Sequence, residues 1–125
     1  MSAPLDALLL LGHGSRKADA NHPLAELARM TAAELGGCRF AVAYLQLAHP
    51  TLAQAVEELA SSGARRIAIL PFFLFPGAHV TEDVPREVAL LRERFPRTEI
   101  LLAPHLGVHP LLARVAAERV REVIE

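Results

Sequence analysis

The 125-residue sequence has a single cysteine, no apolar run long enough to span a bilayer, and no excess of either charge. With Cys38 alone, no disulfide can form within the chain, which is typical of a reducing cytoplasm. The 13 basic and 14 acidic residues argue against nucleic-acid binding, because that function needs a concentrated basic surface. The apolar run at residues 7–11 is too short for a membrane span, and no Lys or Arg precedes it. We interpret this run as a buried strand rather than as a signal peptide.

What is present indicates one globular domain over residues 1–125. Apolar residues make up 52% of the chain, and no linker, repeat or low-complexity segment interrupts it. A chain of this size buries about 60–70% of its unfolded surface and needs no cross-links to hold a core.

Strand and helix patterns alternate four times along the chain. Apolar runs predict strands at residues 6–11, 39–47, 66–71 and 99–103. Because these runs are mostly continuous, they favour a four-stranded parallel sheet of an α/β fold, with helices on both faces and right-handed crossovers.

The segments between the strands show helical spacing of apolar residues. Three stripes consist of Leu24, Leu27, Ala28, Thr31 and Leu35; of Leu52, Val56 and Leu59; and of Val84, Val88, Leu91 and Phe95. A last helix is predicted at about residues 110–124, with four residues facing inward: Leu112, Val115, Ala116 and Val123.

The loops that leave the strands, at residues 12–22, 46–50, 72–80 and 104–110, are expected to share one edge of the sheet. They contain all six histidines of the chain: His13, His22, His49, His79, His105 and His109. A cluster on one edge favours a functional site. The alternative interpretation is that loops simply hold polar residues.

His13 and His79 are the candidate metal ligands. His13 lies between Gly12 and Gly14, which permit a tight turn and leave the imidazole unshielded. Two imidazoles at a strand edge can hold a divalent transition metal. The alternative for His13 is a hydrogen bond to the backbone of a turn. The glycine spacing fits neither a dinucleotide fingerprint nor a phosphate-binding P-loop.

Further candidates lie beside these histidines. Ser15, Arg16 and Lys17 could bind an anionic substrate, or could be ordinary solvated loop residues. Phe75 could line an apolar cavity together with Phe72 or Phe73, although core packing is expected for at least two of the three phenylalanines. Asp83 could orient the ring of His79, or could simply lie at the start of a helix. His105 and His109 are expected to have structural roles.

Three segments resemble the small class II tetrapyrrole chelatases, and most closely the short sirohydrochlorin cobaltochelatases (the small form of CbiX), which are akin to sirohydrochlorin ferrochelatases. The segments are Leu-Gly-His-Gly-Ser-Arg at residues 11–16, Pro-Phe-Phe-Leu-Phe-Pro-Gly-Ala-His-Val-Thr-Glu-Asp-Val-Pro at 71–85, and Leu-Gly-Val-His-Pro at 106–110. The resemblance covers essentially the whole chain.

The resemblance implies a chelatase-type α/β sandwich that inserts a divalent metal into sirohydrochlorin without ATP, for cobalamin or sirohaem synthesis. The metal would be Co²⁺, or alternatively Fe²⁺ or Ni²⁺, bound by His13 and His79, with no cofactor beyond this substrate metal. Since sirohydrochlorin carries many carboxylates, Arg16, Lys17 and Arg65 become candidate anchors. Short members pair as homodimers, so the expected partners are sirohydrochlorin, the metal and a second copy, without nucleic acid or membrane.

One position departs from the family pattern. Related chelatases often carry a glutamate after the second strand, where this chain has Gln46 in Tyr-Leu-Gln-Leu-Ala-His-Pro. Gln46 can orient a ligand but offers no anionic ligand or base, and His49 could supply the basic group. This departure keeps open a metal- or tetrapyrrole-binding module that does not turn over.

Other enzyme classes fit less well. Histidine phosphatases use an arginine where this chain has Gly12, and the segment around Ser15 lacks the Gly-x-Ser-x-Gly elbow of serine hydrolases. A flavodoxin-like regulatory domain would leave His13 and His79 together unexplained.

Overall fold

The computed structural model describes residues 4–125 and contains four strands and four helices in strict alternation. In chain order these are β1 (Ala7–Gly12), α1 (Ala18–Glu34), β2 (Arg39–Tyr44), α2 (Leu52–Ser61), β3 (Arg66–Pro71), α3 (Ala78–Arg94), β4 (Glu99–Leu102) and α4 (Pro110–Ile124). The predicted α/β fold with a four-stranded parallel sheet is confirmed.

The strand order is β2-β1-β3-β4, and every neighbouring pair is parallel. β1 lies between two strands, so that Leu9 is in register with Ala41 on one side and with Ile69 on the other. This central position explains why all six residues of β1 are buried.

The two faces of the sheet carry different helices. Leu9 and Leu11 of β1 pack in a cluster with the buried residues of α2 and α3. Leu8 and Leu10 point to the other face and pack with Ala28 and Ala32 of α1. β1 therefore anchors both halves of the core.

Two helices begin earlier than the sequence indicated, and this corrects the placement of two histidines. α1 begins at Ala18 and α3 at Ala78, each upstream of an internal proline, Pro23 and Pro85. His22 and His79 are therefore helical residues, whereas the sequence patterns had placed them in loops.

The prediction for α4 was wrong in its burial. None of its residues is buried, and Val115 and Val123 keep 49% and 82% of their surface exposed, although both were expected to face inward. The helix forms where it was predicted, because Pro110 at its first turn and the capping side chain of His109 define its start. The apolar face of α4 therefore lacks a partner among the described residues.

Candidate functional site

The candidate site lies at the edge where the four parallel strands end, which we call the carboxyl edge. β1 and β3 are neighbours in the sheet, yet the helices that follow them, α1 and α3, pack on opposite faces. Such a reversal opens a crevice between the two strand ends, and ligands of open α/β sheets bind there. His13 follows β1 and His79 follows β3, so the two candidate ligands flank this point.

His13 is exposed, and neighbouring residues hold both its backbone and its ring. Its carbonyl oxygen accepts a hydrogen bond from the backbone N–H of Gln46 at 3.1 Å, which ties the loop after β1 to the loop after β2. Its ring meets the ring of Phe73 edge-on, with centroids 4.8 Å apart and an angle of 64° between the planes. An imidazole held in this way stays open to solvent while its orientation is restricted.

His79 is the second residue of α3 and is exposed at the first turn of that helix. The segment between β3 and α3 explains how it comes to the carboxyl edge. Phe72 donates its N–H to the carbonyl oxygen of Leu11 at 2.8 Å, and Phe73 is buried, so this segment stays against the end of β1. As predicted, two of the three phenylalanines pack inward, whereas Phe75 is 79% exposed.

The loop after β2 carries Gln46 and His49, both exposed. The Nδ1 atom of His49 lies 3.1 Å from Oε1 of Gln54, and this oxygen already accepts the backbone N–H of Thr51. Because Oε1 is an acceptor, Nδ1 must donate, and the lone pair of the neutral His49 ring is left on Nε2. In the neutral ring, Nε2 is therefore the nitrogen that can accept a proton.

Tyr44 fixes the base of the same loop. It is buried, its hydroxyl donates to the carbonyl oxygen of Asn21 at 3.2 Å, and burial raises the pKa of its phenol. This bond joins the end of β2 to the first turns of α1, next to the loop that carries His13.

The predicted substrate-binding residues fall into two groups. Ser15 uses its hydroxyl oxygen to accept the N–H of Lys17 at 3.1 Å, so it supports the turn before α1. Arg16 and Lys17 are exposed and form no ion pair within the described part of the chain, which leaves both cations open to an anion. Arg65 lies elsewhere: it precedes β3, at the opposite edge of the sheet, where its N–H binds Asp6.

The remaining histidines, His109, His105 and His22, lie in three different places. His109 caps α4, its Nδ1 accepting the N–H of Leu111 at 3.1 Å, as its position before Pro110 indicated. His105 is exposed after β4 and lines a cavity that the sequence did not reveal. His22 lies on α1 and is exposed.

This cavity has a volume of about 170 Å³ and lies between α3 and the ends of β3 and β4. Phe73, which touches His13, forms part of its wall, as do Pro76 and Val80 on either side of His79 in the chain. The phenylalanine-rich segment was a partial signal for it, but the contribution of α3 could not be inferred while that helix was expected to start later.

No three side chains of His, Cys, Asp or Glu in residues 4–125 come together in an arrangement that could hold a metal ion. One copy of the described chain therefore offers a metal at most a pair of such ligands. Two protein ligands leave coordination positions of a metal ion open for other ligands.

The chain matches the family model described as CbiX over residues 7–123. Among curated relatives, the sirohydrochlorin ferrochelatase of Priestia megaterium is 36% identical over 119 residues, covering 94% of this chain and 44% of that protein. The chain spans about half the length of the curated relatives that it matches first.

Solved structures show the same fold. A CbiX protein from Marinobacter aquaeolei VT8 superposes with a TM-score of 0.77 at 31% identity and covers 93% of this chain and 94% of its own. The sirohydrochlorin chelatase SirB from Bacillus subtilis subspecies spizizenii, in complex with cobalt, gives 0.82 at 27% identity over 94% of this chain and 50% of that one. With a family model matched over nearly its whole length, the chain belongs to the CbiX family.

Proposed function

We propose that this protein inserts a divalent metal ion into sirohydrochlorin without ATP, with Co²⁺ as the leading candidate and Fe²⁺ and Ni²⁺ as alternatives. One observation carries the proposal: His13 and His79 flank the reversal point between β1 and β3, beside an apolar cavity. Relatives of the same family named sirohydrochlorin ferrochelatase or cobaltochelatase support the substrate.

In this proposal His13 and His79 hold the incoming metal. Imidazole nitrogen is a ligand of intermediate softness that binds Co²⁺, Fe²⁺ and Ni²⁺ without trapping them as a thiolate would. The macrocycle nitrogens then replace the imidazoles one by one. Two pyrrole N–H protons leave as one M²⁺ enters, so the net charge of the macrocycle core is unchanged. In this proposal Nε2 of His49 accepts a proton and passes it to solvent, and the second proton leaves by the same route.

The other side chains of the carboxyl edge bind substrate. Arg16 and Lys17 attract the carboxylates of the macrocycle, because neither cation is neutralised by an ion pair in the described structure. Gln46 and Phe75 stand exposed at the ends of β2 and β3, where a flat substrate would cover them. Ser15 contributes by holding the turn that carries both cations.

The test is an anaerobic absorbance assay with sirohydrochlorin and each metal, measured against the reaction without protein. We expect His13→Ala and His79→Ala to reduce the rate to that background while far-UV circular dichroism stays unchanged. His22→Ala is the matched control, because it removes an exposed histidine outside the proposed pair. Full activity in both site variants would remove the pair from the mechanism.

A non-catalytic binding module of the same fold is the alternative, and Gln46 is the residue that favours it, since it offers no anionic base at the end of β2. In the same assay, a folded protein that binds sirohydrochlorin but accelerates insertion of no metal would establish this alternative.

We further propose that two copies of the chain associate through α4. At 100° per residue, an arc of about 140° on this helix has no charged residue. The arc consists of Leu112, Ala113, Ala116, Ala117, Val120, Val123 and Ile124. Contiguous apolar surface of this kind marks an interaction site. Nearly the whole chain matches about half of relatives that are roughly twice as long, which supports a second copy of the chain as the occupant.

Sedimentation or light scattering tests this association. We expect a dimer that Val120→Lys converts to a monomer, because a lysine in the centre of the apolar arc cannot be buried without a partner charge. Leu90→Lys is the control, since Leu90 is also a largely exposed apolar residue but lies on α3. A monomeric wild-type protein would contradict the proposal.

A further inference from the structure

The cavity beside the candidate histidines is about half open to solvent, and its walls are mostly apolar side chains. Its lining residues are Pro71, Phe73, Pro76, Val80, Thr81, Val84, Pro85, Leu102, Ala103, Pro104 and His105. No lysine, arginine, aspartate or glutamate is among them. The buried walls are formed by Pro71, Phe73 and Val84, whereas Thr81 and His105 are exposed at the rim.

The cavity offers a carboxylate little polar recognition, because its polar side chains, Thr81 and His105, lie exposed at the rim. The hydroxyl of Thr81 already donates to the carbonyl oxygen of Gly77 at 3.0 Å, which leaves the imidazole of His105 as the remaining polar side chain. Moving a carboxylate from water against the apolar walls without a cationic partner is unfavourable, because the charge loses its hydration. The cavity therefore favours an apolar group of the ligand, whereas the exposed cations Arg16 and Lys17 favour its carboxylates.

The size of the cavity limits its occupant. A dry protein cavity of ~150 Å³ accepts one benzene molecule, and pockets for whole drug-sized ligands start at ~300 Å³. At about 170 Å³ this cavity has room for one small ring edge with a methyl group and excludes a complete macrocycle.

The cavity lies next to His13 and His79, the two proposed metal ligands. Phe73 both contacts the ring of His13 and lines the cavity. Two other lining residues are close to His79 in the chain: Pro76, just before α3, and Val80, in its first turn. A macrocycle centred at the two imidazoles would therefore present one edge toward the cavity.

On the basis of the proposed function, we infer that this cavity is a specificity subsite that receives a methyl-bearing edge of the tetrapyrrole. The ring methyl groups of sirohydrochlorin are its only apolar peripheral substituents, since all others end in carboxylates. Seating a methyl group between Val80, Ala103 and Phe73 fixes the rotation of the macrocycle about the metal. It also discriminates against tetrapyrroles whose periphery consists of carboxylates alone.

Filling the cavity tests the inference. Ala103→Leu adds bulk from the wall, and binding is measured without metal, by fluorescence anisotropy of sirohydrochlorin and of uroporphyrin III, an octacarboxylate without ring methyls. We expect the variant to weaken sirohydrochlorin binding by about tenfold or more, the value of one methyl-sized group in an apolar pocket. Uroporphyrin III binding and Co²⁺ affinity, measured by calorimetry, should change less than twofold.

Ala60→Leu is the matched control. Ala60 is also partly buried and lines a different surface depression, formed by the end of α2 and residues 94–98. This variant should leave both tetrapyrrole affinities unchanged. If Ala103→Leu fails to fold, Val80→Ala decides instead, since it shortens a wall without adding volume and should weaken sirohydrochlorin binding by about threefold or more.

Two results would overturn the inference in distinguishable ways. If the wild-type protein metallates sirohydrochlorin but Ala103→Leu leaves its affinity unchanged, or weakens uroporphyrin III equally, the subsite is wrong while the proposed function stands. If the wild-type protein neither binds nor metallates sirohydrochlorin, the proposed function fails and the subsite fails with it.

Discussion

A Cβ atom on Gly14 would lie 1.9 Å from the backbone carbonyl oxygen of Gln46. Gly14 also has a φ of +96°, a conformation that residues with side chains rarely adopt. The absence of a side chain at this one position lets the loop after β1 close against the loop after β2, and that closure places His13 next to Gln46.

We expect Gly14→Ala to abolish metal insertion and to lower the free energy of unfolding by more than the strain of a positive φ, which is of order 1–3 kcal/mol. The excess arises because backbone atoms must move to relieve the overlap. Gly36→Ala is the matched control: Gly36 has a φ of +95° but open space where the Cβ would be. Equal losses of stability in urea unfolding of the two variants would show that the contact with Gln46 has no energetic consequence.

Gln46→Glu should restore an anionic group at the end of β2. Because the backbone of Gln46 is hydrogen-bonded to that of His13, a carboxylate here would lie near the proposed metal ligands and could accept a pyrrole proton. We expect metal insertion to accelerate by about tenfold or more, below the ~100-fold or greater effect of a well-positioned general base.

The assay for Gln46→Glu compares initial rates with Co²⁺ and Fe²⁺, and Gln46→Ala serves as the control that removes the amide without adding charge. If the glutamate variant behaves like the alanine variant with both metals, the side chain at this position does not reach the reacting centre.

The strands were predictable to within a few residues because burial on both sides leaves a continuous apolar run. β3 was predicted at the observed residues, and β2 differed only at its end. There the chain turns away after Tyr44, with Leu47 at a φ of +64°, although the apolar residues continue. Composition alone does not reveal such a turn.

The helix starts were predicted less well, for a common reason. The apolar stripe of α1 begins only at Leu24, so residues up to His22 were assigned to a loop, whereas the helix begins at Ala18. The stripe of α3 likewise begins at Val84, so the loop was predicted to extend to residue 80 and to include His79. The identity of the two candidate ligands did not depend on these starts, but the cavity formed by α3 did.

The burial of α4 was unpredictable on principle. Its apolar stripe indicates that the helix needs a partner surface, but periodicity does not distinguish the chain's own sheet from another molecule. Val123 fits either interpretation in the sequence, and only its exposure in the fold separates them.

We expect Thr51→Ala to destabilise the protein by about 1 kcal/mol, the usual value of a helix N-cap. Thr51 and Gln54 form a reciprocal capping box at the start of α2: the hydroxyl accepts the N–H of Gln54, and the amide oxygen of Gln54 accepts the N–H of Thr51. Removing the hydroxyl leaves a helix-end N–H without its partner.

Thr31→Ala provides the comparison for this measurement. The hydroxyl of Thr31 donates to the carbonyl oxygen of Leu27 inside α1, a bond that adds little because that oxygen is already part of the helix. The two midpoints of urea unfolding should differ clearly, and a loss at Thr31 as large as that at Thr51 would argue against the capping role.

Glu87 on α3 should make stability depend on pH in a defined direction. Partial burial, and secondarily the negative charge of Asp83 four residues earlier, raise the pKa of the Glu87 carboxyl above its usual range. The folded state therefore holds this proton more strongly than the unfolded chain. Its stabilising contribution is fully present below the unfolded pKa of about 4.3 and is lost as pH rises through the higher pKa of the folded state.

Glu87→Gln removes this ionisation and should raise the free energy of unfolding at pH 7 by about 0.5 kcal/mol, since the like-charge pair on neighbouring helix turns disappears. The difference from wild type should shrink as pH falls toward 4, because a protonated Glu87 carboxyl is uncharged, as the glutamine amide is. Denaturant unfolding at both pH values measures it. Glu118→Gln, which replaces an exposed glutamate on α4, is the control, and an equal trend in both variants would refute the assignment to Glu87.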